Sequence, residues 1–174
     1  MVKIFVSIVF TSLLVFTLSI VSCGKQSSLS VDEYLDVTRE IIEAHTESIH
    51  LETDSMKDAL MLLQRGEIDK GLVIIEVTQH LYAEELIKYR NSWDGISPPR
   101  EFTNYHDCVS DFFFKLEDNA KLISLYAEEL LDGEESDTQK LTEALESREE
   151  CSDQWDVCSR LAEEALLKTS KKRE

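Results

Sequence analysis

The amino-acid sequence predicts an all-α fold, an antiparallel bundle of four helices in an up-down-up-down arrangement. The chain has 174 residues but only two prolines and five glycines, so long helices are favoured over a turn-rich β fold. Apolar residues recur every seven positions along several segments, which is typical of a bundle seam. The connections between these segments are mostly short, and short connections make neighbouring helices antiparallel.

The first two helices are delimited by residues that start or stop helices. Ser30 and Glu33 form a capping box that begins helix one, and Gly66 ends it. Asp69 is expected to cap helix two, which stops near Gly95, ahead of a proline pair. The seam of helix one comprises Leu35, Ile42, Ile49, Met56 and Leu63, with Thr38, His45, Glu52 and Ala59 interleaved. The inward face of helix two comprises Leu72, Ile75, Gln79, Tyr82, Leu86, Tyr89 and Trp93.

The last two helices follow the loop that contains the proline pair. Helix three is expected over residues 101–131, with Gly133 as its terminator. Ser136 and Gln139 form a second capping box, which opens helix four. The seam of helix three comprises Phe102, Val109, Leu116, Ile123 and Leu130, with Tyr105, Phe112, Asn119 and Tyr126 between them. The inward face of helix four comprises Leu141, Ala144, Leu145, Arg148, Cys151, Trp155, Cys158, Ala162 and Ala165.

An uncharged apolar run precedes the predicted bundle. No charged residue occurs from Ile4 to Ser22, and Lys3 supplies a minimal positive start, which is the layout of a secretory signal. An uncharged run of this length is also sufficient for a membrane-spanning helix. Length alone therefore leaves both interpretations open.

The end of this run, Ile20-Val21-Ser22-Cys23, resembles the lipobox of bacterial lipoproteins. In that family a diacylglyceryl group is attached to the cysteine thiol, and the chain is cut just before the cysteine. The resemblance implies that Cys23 is the lipidated first residue of a protein held on the extracytoplasmic face of a bacterial cell membrane. The expected divisions are a signal peptide over residues 1–22, a lipidated cysteine with a short tether over 23–30, and the four-helix bundle over 31–174.

The charge balance and the motif content limit the classes of function. The formal net charge is −17, and removal of the leader would make the body more acidic still, because Lys3 is the leader's only charged residue. A nucleic-acid partner is not expected, since phosphate contacts need a basic face. The sequence lacks a Gly-x-Ser-x-Gly motif, a phosphate-binding loop and a paired His-Glu metalloprotease signature. We therefore predict no catalytic residue, cofactor or metal site, and expect that the protein is not an enzyme.

Three cysteines remain in the body of the chain. Cys151 and Cys158 would lie about 10 Å apart along one helix, which is beyond the reach of a disulfide. If helices three and four are antiparallel about their turn, Cys108 lies level with Cys158. We therefore expect a Cys108–Cys158 disulfide, with Cys151 as a free buried thiol. The alternative is that all three cysteines are small, unpaired core residues.

Several polar residues fall on inward faces of the predicted helices. The set comprises His45, Glu52, Gln79, Asn119 and Arg148. Glu52 lies level with Arg148, which predicts an interhelical ion pair that fixes the register of the helices. The set can be interpreted as a polar pocket that binds a ligand or as a core network whose hydrogen bonds are satisfied internally.

The two ends of the predicted bundle differ in charge. In an up-down arrangement the lipid tether lies at the same end as the basic residues that close helix four. These residues are Lys168, Lys171, Lys172 and Arg173, and we expect them to contact anionic lipid headgroups. The alternative is that they complement the negative end of the last helix.

The sequence therefore predicts a membrane-anchored cell-envelope lipoprotein that acts as a non-enzymatic binding or scaffold module, with an envelope protein as a candidate partner. The alternative is a helical bundle that binds a metal or a small ligand. The segment from Pro98 to Phe102, followed by His106, is similar to helix-start segments of small uncharacterised helical lipoproteins of bacteria. No residue role follows from that similarity.

Overall fold

The computed structural model describes residues 28–133 and 138–171. Helix α1 spans Val31–Gln64, α2 spans Ile68–Asp94, α3 spans Thr103–Leu131 and α4 spans Thr138–Ser170, with a 3-10 turn over Arg100–Phe102. These ranges contain no strand, so the predicted all-α four-helix bundle is confirmed. In the same ranges, no helix has both the length and the apolar character needed to cross a bilayer.

Several predicted features fall outside the described residues. They are the lipidation site Cys23, the helix-capping residue Ser136, and the basic residues Lys172 and Arg173. The side chains of Gln139, Leu141 and Leu145 are likewise not described, although these residues belong to α4.

The capping and terminating residues act largely as the sequence predicts. The backbone N–H of Glu33 donates to the Ser30 hydroxyl (3.3 Å), and the backbone N–H of Ser30 donates to the Glu33 carboxylate (3.0 Å). This capping box satisfies two N–H groups that the start of α1 leaves without helical partners. Gly66 (φ +80°) and Gly133 (φ +75°) adopt the left-handed conformation that follows the ends of α1 and α3.

The predicted cap of the second helix is wrong. Helix α2 begins at Ile68, so Asp69 lies inside its first turn rather than at its cap. The reason is the tight turn after α1, in which the N–H of Glu67 donates to the Leu62 carbonyl (3.0 Å). The carbonyl of Glu67 then accepts from the N–H of Gly71 (3.1 Å), so one residue closes α1 and opens α2. Asp69 places its negative charge near the positive end of the α2 dipole.

Successive helices pack against each other in antiparallel pairs. Tyr89, near the end of α2, hydrogen-bonds Ser48 at the middle of α1 (2.6 Å). The Ser124 hydroxyl, late in α3, donates to the carbonyl of Glu76, early in α2 (3.2 Å). Helices α3 and α4 are joined by a disulfide between Cys108 and Cys158, whose Cα atoms are 5.5 Å apart.

The first and last helices, α1 and α4, lie farther apart than the successive pairs of helices do. Within the described residues, no Cα atom of α1 lies within 8 Å of a Cα atom of α4. The buried positions of α1 include Thr38, His45, Glu52 and Ala59. The apolar seam of α1 is only partly buried, at Leu35, Ile42, Ile49, Met56 and Leu63. Ile42, Ile49, Met56 and Leu63 line an open cleft between α1 and α4, whereas Leu35 packs near the start of α1 on a cluster that includes Ala165 of α4.

Helix α4 approaches α3 closely because its buried side chains are small. Ala144, Cys151, Cys158 and Ala165 are buried and recur every seven residues. Cys158 is bonded to Cys108 of α3, whereas Cys151 is a free buried thiol. Small side chains let α4 lie close to α3, and this placement draws α4 away from α1.

Aromatic side chains hold the end of the bundle where α1 begins, which we call the tether pole. Tyr34, Trp93 and Phe102 are buried there with Ala165 of α4. The Trp93 indole N–H donates to the carbonyl of His106 (2.8 Å). The opposite end, where Gly66 and Gly133 turn the chain, is called the distal pole.

The disulfide should make a measurable contribution to stability. Cys108→Ala or Cys158→Ala removes a cross-link between residues 50 positions apart and should lower the free energy of unfolding by about 2–4 kcal/mol. Urea unfolding with and without dithiothreitol measures this loss. Cys151→Ala is the matched control, because it removes a buried thiol from the same helix and should leave the sensitivity to reductant intact. An equal free energy of unfolding of the parent chain with and without dithiothreitol would contradict the Cys108–Cys158 disulfide.

Candidate ligand-binding site

Each helix contributes one polar side chain to a layer that crosses the middle of the bundle. Glu52 of α1 accepts a hydrogen bond from the Gln79 side-chain amide of α2 (2.6 Å). Arg148 of α4 places one guanidinium nitrogen 3.5 Å from Glu52 and another 3.5 Å from the Asn119 side-chain oxygen of α3. The Asn119 amide donates to the carbonyl of Ala144 (2.7 Å). The structure thus brings together four of the five predicted polar residues, which we call the polar layer.

Burial differs sharply between the members of the polar layer. Gln79 and Asn119 are fully buried and Glu52 is 6% exposed, whereas the Arg148 side chain is 40% exposed. Arg148 therefore reaches Glu52 across the mouth of the cleft. A buried carboxylate without partners is strongly unfavourable, so Glu52 depends on the hydrogen bond from Gln79 and on the charge of Arg148.

The Gln79 side chain has an oxygen without a partner. An ionised carboxylate can only accept hydrogen bonds, so the Gln79 amide must turn its nitrogen toward Glu52. The other end of the amide, Oε1, is then left over, and it has no hydrogen-bond partner in the described part of the chain. A buried acceptor in this state costs about 1–3 kcal/mol unless a donor reaches it.

His45, the fifth predicted polar residue, lies apart from the polar layer. Its Nε2 is 3.2 Å from the hydroxyl of Tyr82, and its ring packs against the rings of Phe112 and Phe113 at centroid distances of 5.8 and 5.0 Å. Burial lowers the pKa of His45 to about 4, and burial raises the pKa of Tyr82 above its usual range. Near neutral pH this pair is therefore uncharged and acts as part of the core.

Two cavities lie in the cleft, and Arg148 lines both. The tether-side cavity has a volume of about 360 Å³ and is lined by residues that include Ile42, His45, Ile49, Tyr82, Cys151 and Trp155. The distal cavity has a volume of about 740 Å³ and extends from the polar layer toward the distal pole. Both volumes fall in the range of about 300–1,000 Å³ that is typical of sites for small ligands.

The distal cavity is polar at one end and mostly aliphatic elsewhere. Glu52, Gln79 and Arg148 line the end at the polar layer. The aliphatic lining comprises Met56, Leu60, Leu63, Ile68, Leu72, Ile75, Ile123, Ala127, Leu130 and Ala144. Such a cavity suits a molecule with an aliphatic body and a polar end.

The free thiol of Cys151 lines the tether-side cavity. Burial raises the pKa of the Cys151 thiol, which keeps it in the poorly nucleophilic protonated form. In the parts of the chain that the structure describes, no group of three or more His, Cys, Asp or Glu side chains is placed to hold a metal ion.

Sequence reasoning missed one buried charge and the role of one helix face. Glu117 of α3 is almost fully buried and forms ion pairs with Arg90 of α2 (3.0 Å) and with Lys121. The four-residue spacing of Glu117 and Lys121 was a signal for part of this network. The α1 seam was recognised as apolar, but heptad spacing carries no information on whether a neighbouring helix covers it.

Comparisons of the chain with protein-family models, curated proteins and solved structures give no match. The fold and the cleft therefore define the class. The chain is an all-α four-helix bundle, and the cleft between its first and last helices is crossed by a polar layer.

Neutral His45 should make stability depend on pH. The unfolded chain takes up a proton near the ordinary histidine pKa of about 6.5, whereas folded His45 takes it up only near pH 4. Its contribution to stability is therefore complete above about pH 6.5 and is lost as the pH falls toward 4. His45→Gln should reduce the loss of unfolding free energy between about pH 7 and pH 4 by about 3 kcal/mol, measured by urea unfolding.

The matched control is His50→Gln, which replaces an exposed histidine of the same helix. An acid-dependent loss in His45→Gln equal to that of the parent chain would show that His45 is not held in its neutral form.

Proposed function

We propose that this protein is a membrane-anchored lipoprotein of the bacterial cell envelope that acts as a non-enzymatic binding module and holds a small, largely apolar ligand in the cleft between α1 and α4. The observation that carries the proposal is the distal cavity, which has a volume of about 740 Å³ and a mostly aliphatic lining. Cavities of this size and character are typical of ligand sites.

The close packing that is normal inside proteins favours a ligand in the distal cavity. Protein interiors are normally close-packed, and side chains that line a void lose dispersion contacts. Met56 and Leu63 of the α1 seam are left half-buried at this cavity. A ligand that covered them would gain about 25 cal/mol for each Å² of apolar surface removed from water.

The proposed location rests on the lipobox at Ile20 to Cys23, which lies outside the described residues. The disulfide between Cys108 and Cys158 supports a site outside the cytoplasm, because disulfides persist in oxidising compartments and are rare in the cytosol. The lipobox and the disulfide are independent features of the chain, and both favour the envelope.

The tether pole is the end of the bundle that would face the membrane. The N–H of Leu29 donates to the carbonyl of Ser97 (3.2 Å), which fixes the end of the tether to the loop at that pole. Residues 24–30 can span at most about 24 Å, so the tether pole stays near the bilayer. Lys168 and Lys171 extend from the same pole, and we assign them, with Lys172 and Arg173, to contact with anionic headgroups. Cosedimentation of a chain that begins at Gly24, and therefore lacks both the leader and the acyl group, with anionic vesicles measures this contact before and after Lys168→Ala and Lys171→Ala.

Native mass spectrometry of the full-length protein, extracted from the membranes of an expressing bacterium, tests the proposed function. The expected mass is that of a chain beginning at Cys23 with a diacylglyceryl group, plus one non-covalently bound small molecule. Ala127→Phe should abolish the bound mass, because Ala127 is a fully buried alanine of the distal cavity and the larger ring fills that space.

The matched control is Ala44→Phe, which adds the same ring at an exposed position of α1 and should leave the bound mass unchanged. A parent protein without bound mass would contradict the binding function. A first residue other than Cys23, or an unmodified sulfur there, would contradict the anchor.

A further inference from the structure

We infer that the occupant of the distal cavity is a neutral amphiphile with one aliphatic chain, whose hydroxyl or amide head donates a hydrogen bond to Gln79 Oε1. This inference rests on the proposed binding function and specifies the class of ligand. It combines the unpartnered oxygen of a fully buried side chain with an aliphatic cavity that the same side chain lines.

The head must be a hydrogen-bond donor. The Gln79 amide gives one of its two N–H groups to Glu52 at 2.6 Å, and this bond fixes which end of the amide is the oxygen. The oxygen has no hydrogen-bond partner in the described part of the chain, and an O–H or N–H group of the ligand would satisfy it. Hydroxyl and amide heads both supply such a donor.

The charges of the polar layer favour a neutral head. Glu52 and Arg148 already form an ion pair across the cleft, with 3.5 Å between their nearest nitrogen and oxygen atoms. A carboxylate head would lie close to the buried Glu52 carboxylate, and like charges in a buried site repel strongly. An ammonium head would compete with Arg148 for the same carboxylate. A neutral donor leaves the existing pair intact.

The shape of the cavity suits one extended chain. From Glu52 to Leu63 the α1 wall extends about 16 Å at 1.5 Å per residue. All four helices contribute aliphatic side chains or alanines to the walls, including Met56, Ile75 and Ile123. An aliphatic chain that begins at Gln79 would run along this slot toward the distal pole.

The protein's own lipid anchor does not fit this site. The anchor would attach at the tether pole, and Ser30 lies about 33 Å from Glu52 along α1 at the same rise per residue. The glyceryl group on Cys23 would therefore lie near the bilayer, far from the polar layer. The occupant is a separate molecule.

Photoaffinity labelling of the full-length protein in nanodiscs tests the inference. Three probes of equal chain length are compared, each with a diazirine near the end of the chain: a monoacylglycerol, the corresponding fatty acid and the corresponding alkane. The monoacylglycerol should label peptides around Leu63 and Leu130, and it should bind more tightly than the fatty acid. Gln79→Leu should weaken binding of the monoacylglycerol about tenfold relative to its effect on binding of the alkane, which is the effect of one lost hydrogen bond.

The controls separate failure of the inference from failure of the proposed function. Gln64→Leu makes the same replacement at an exposed position of α1 and should not change labelling. If all three probes label the distal cavity equally and Gln79→Leu has no effect, the assigned head chemistry is wrong and the binding function stands. If no probe labels the cavity in the parent chain, both proposals are wrong. If Gln79→Leu does not fold, the affinities of the three probes for the parent chain decide the inference. Tighter binding of the fatty acid than of the monoacylglycerol would contradict it.

Discussion

The buried carboxylate of Glu52 sets the alignment of all four helices. A carboxylate at this depth needs partners, and it obtains them from Gln79 of α2 and Arg148 of α4. Arg148 also reaches Asn119 of α3, so one connected layer includes a residue from every helix. Sliding any helix by one turn would separate these partners. The polar layer therefore fixes the register of the whole bundle.

The packing of α4 against α3 accounts for the open cleft, and the polar layer crosses it. Helix α4 is held close to α3 by small buried side chains and by the Cys108–Cys158 disulfide, whereas among the described residues no Cα atom of α4 lies within 8 Å of one in α1. Midway along the cleft, the ion pair between buried Glu52 and partly exposed Arg148 joins the two helices. Separation of α1 from α4 should therefore cost less than separation of any sequential pair of helices, because fewer buried contacts are lost. A ligand could enter by this route without unfolding the core.

The sequence predicts the helices and much of the polar layer because both depend on spacing along the chain. Heptad positions, together with an antiparallel alignment of the helices about their turns, place Glu52 opposite Arg148 and Cys108 opposite Cys158. The structure shows both contacts. Spacing does not predict the depth of burial, which depends on how closely the neighbouring helix approaches. The α1 seam therefore looked like the centre of the core but lines a cleft. The cap at Asp69 was wrong because the turn after Gly66 is tighter than the sequence pattern indicates.

A double-mutant cycle on Glu52 and Arg148 measures whether their ion pair joins α1 to α4. The free energy of unfolding is measured by urea for the parent chain, Glu52→Gln, Arg148→Met and the double variant, with the exposed pair Asp36 and Arg39 as the matched control. We expect a favourable coupling of about 1–2 kcal/mol for Glu52 and Arg148, since one partner is buried and the other half-exposed, and at most about 0.5 kcal/mol for the control pair. A coupling no larger than that of the control would show that the ion pair does not join α1 to α4, and the account of the cleft would fail.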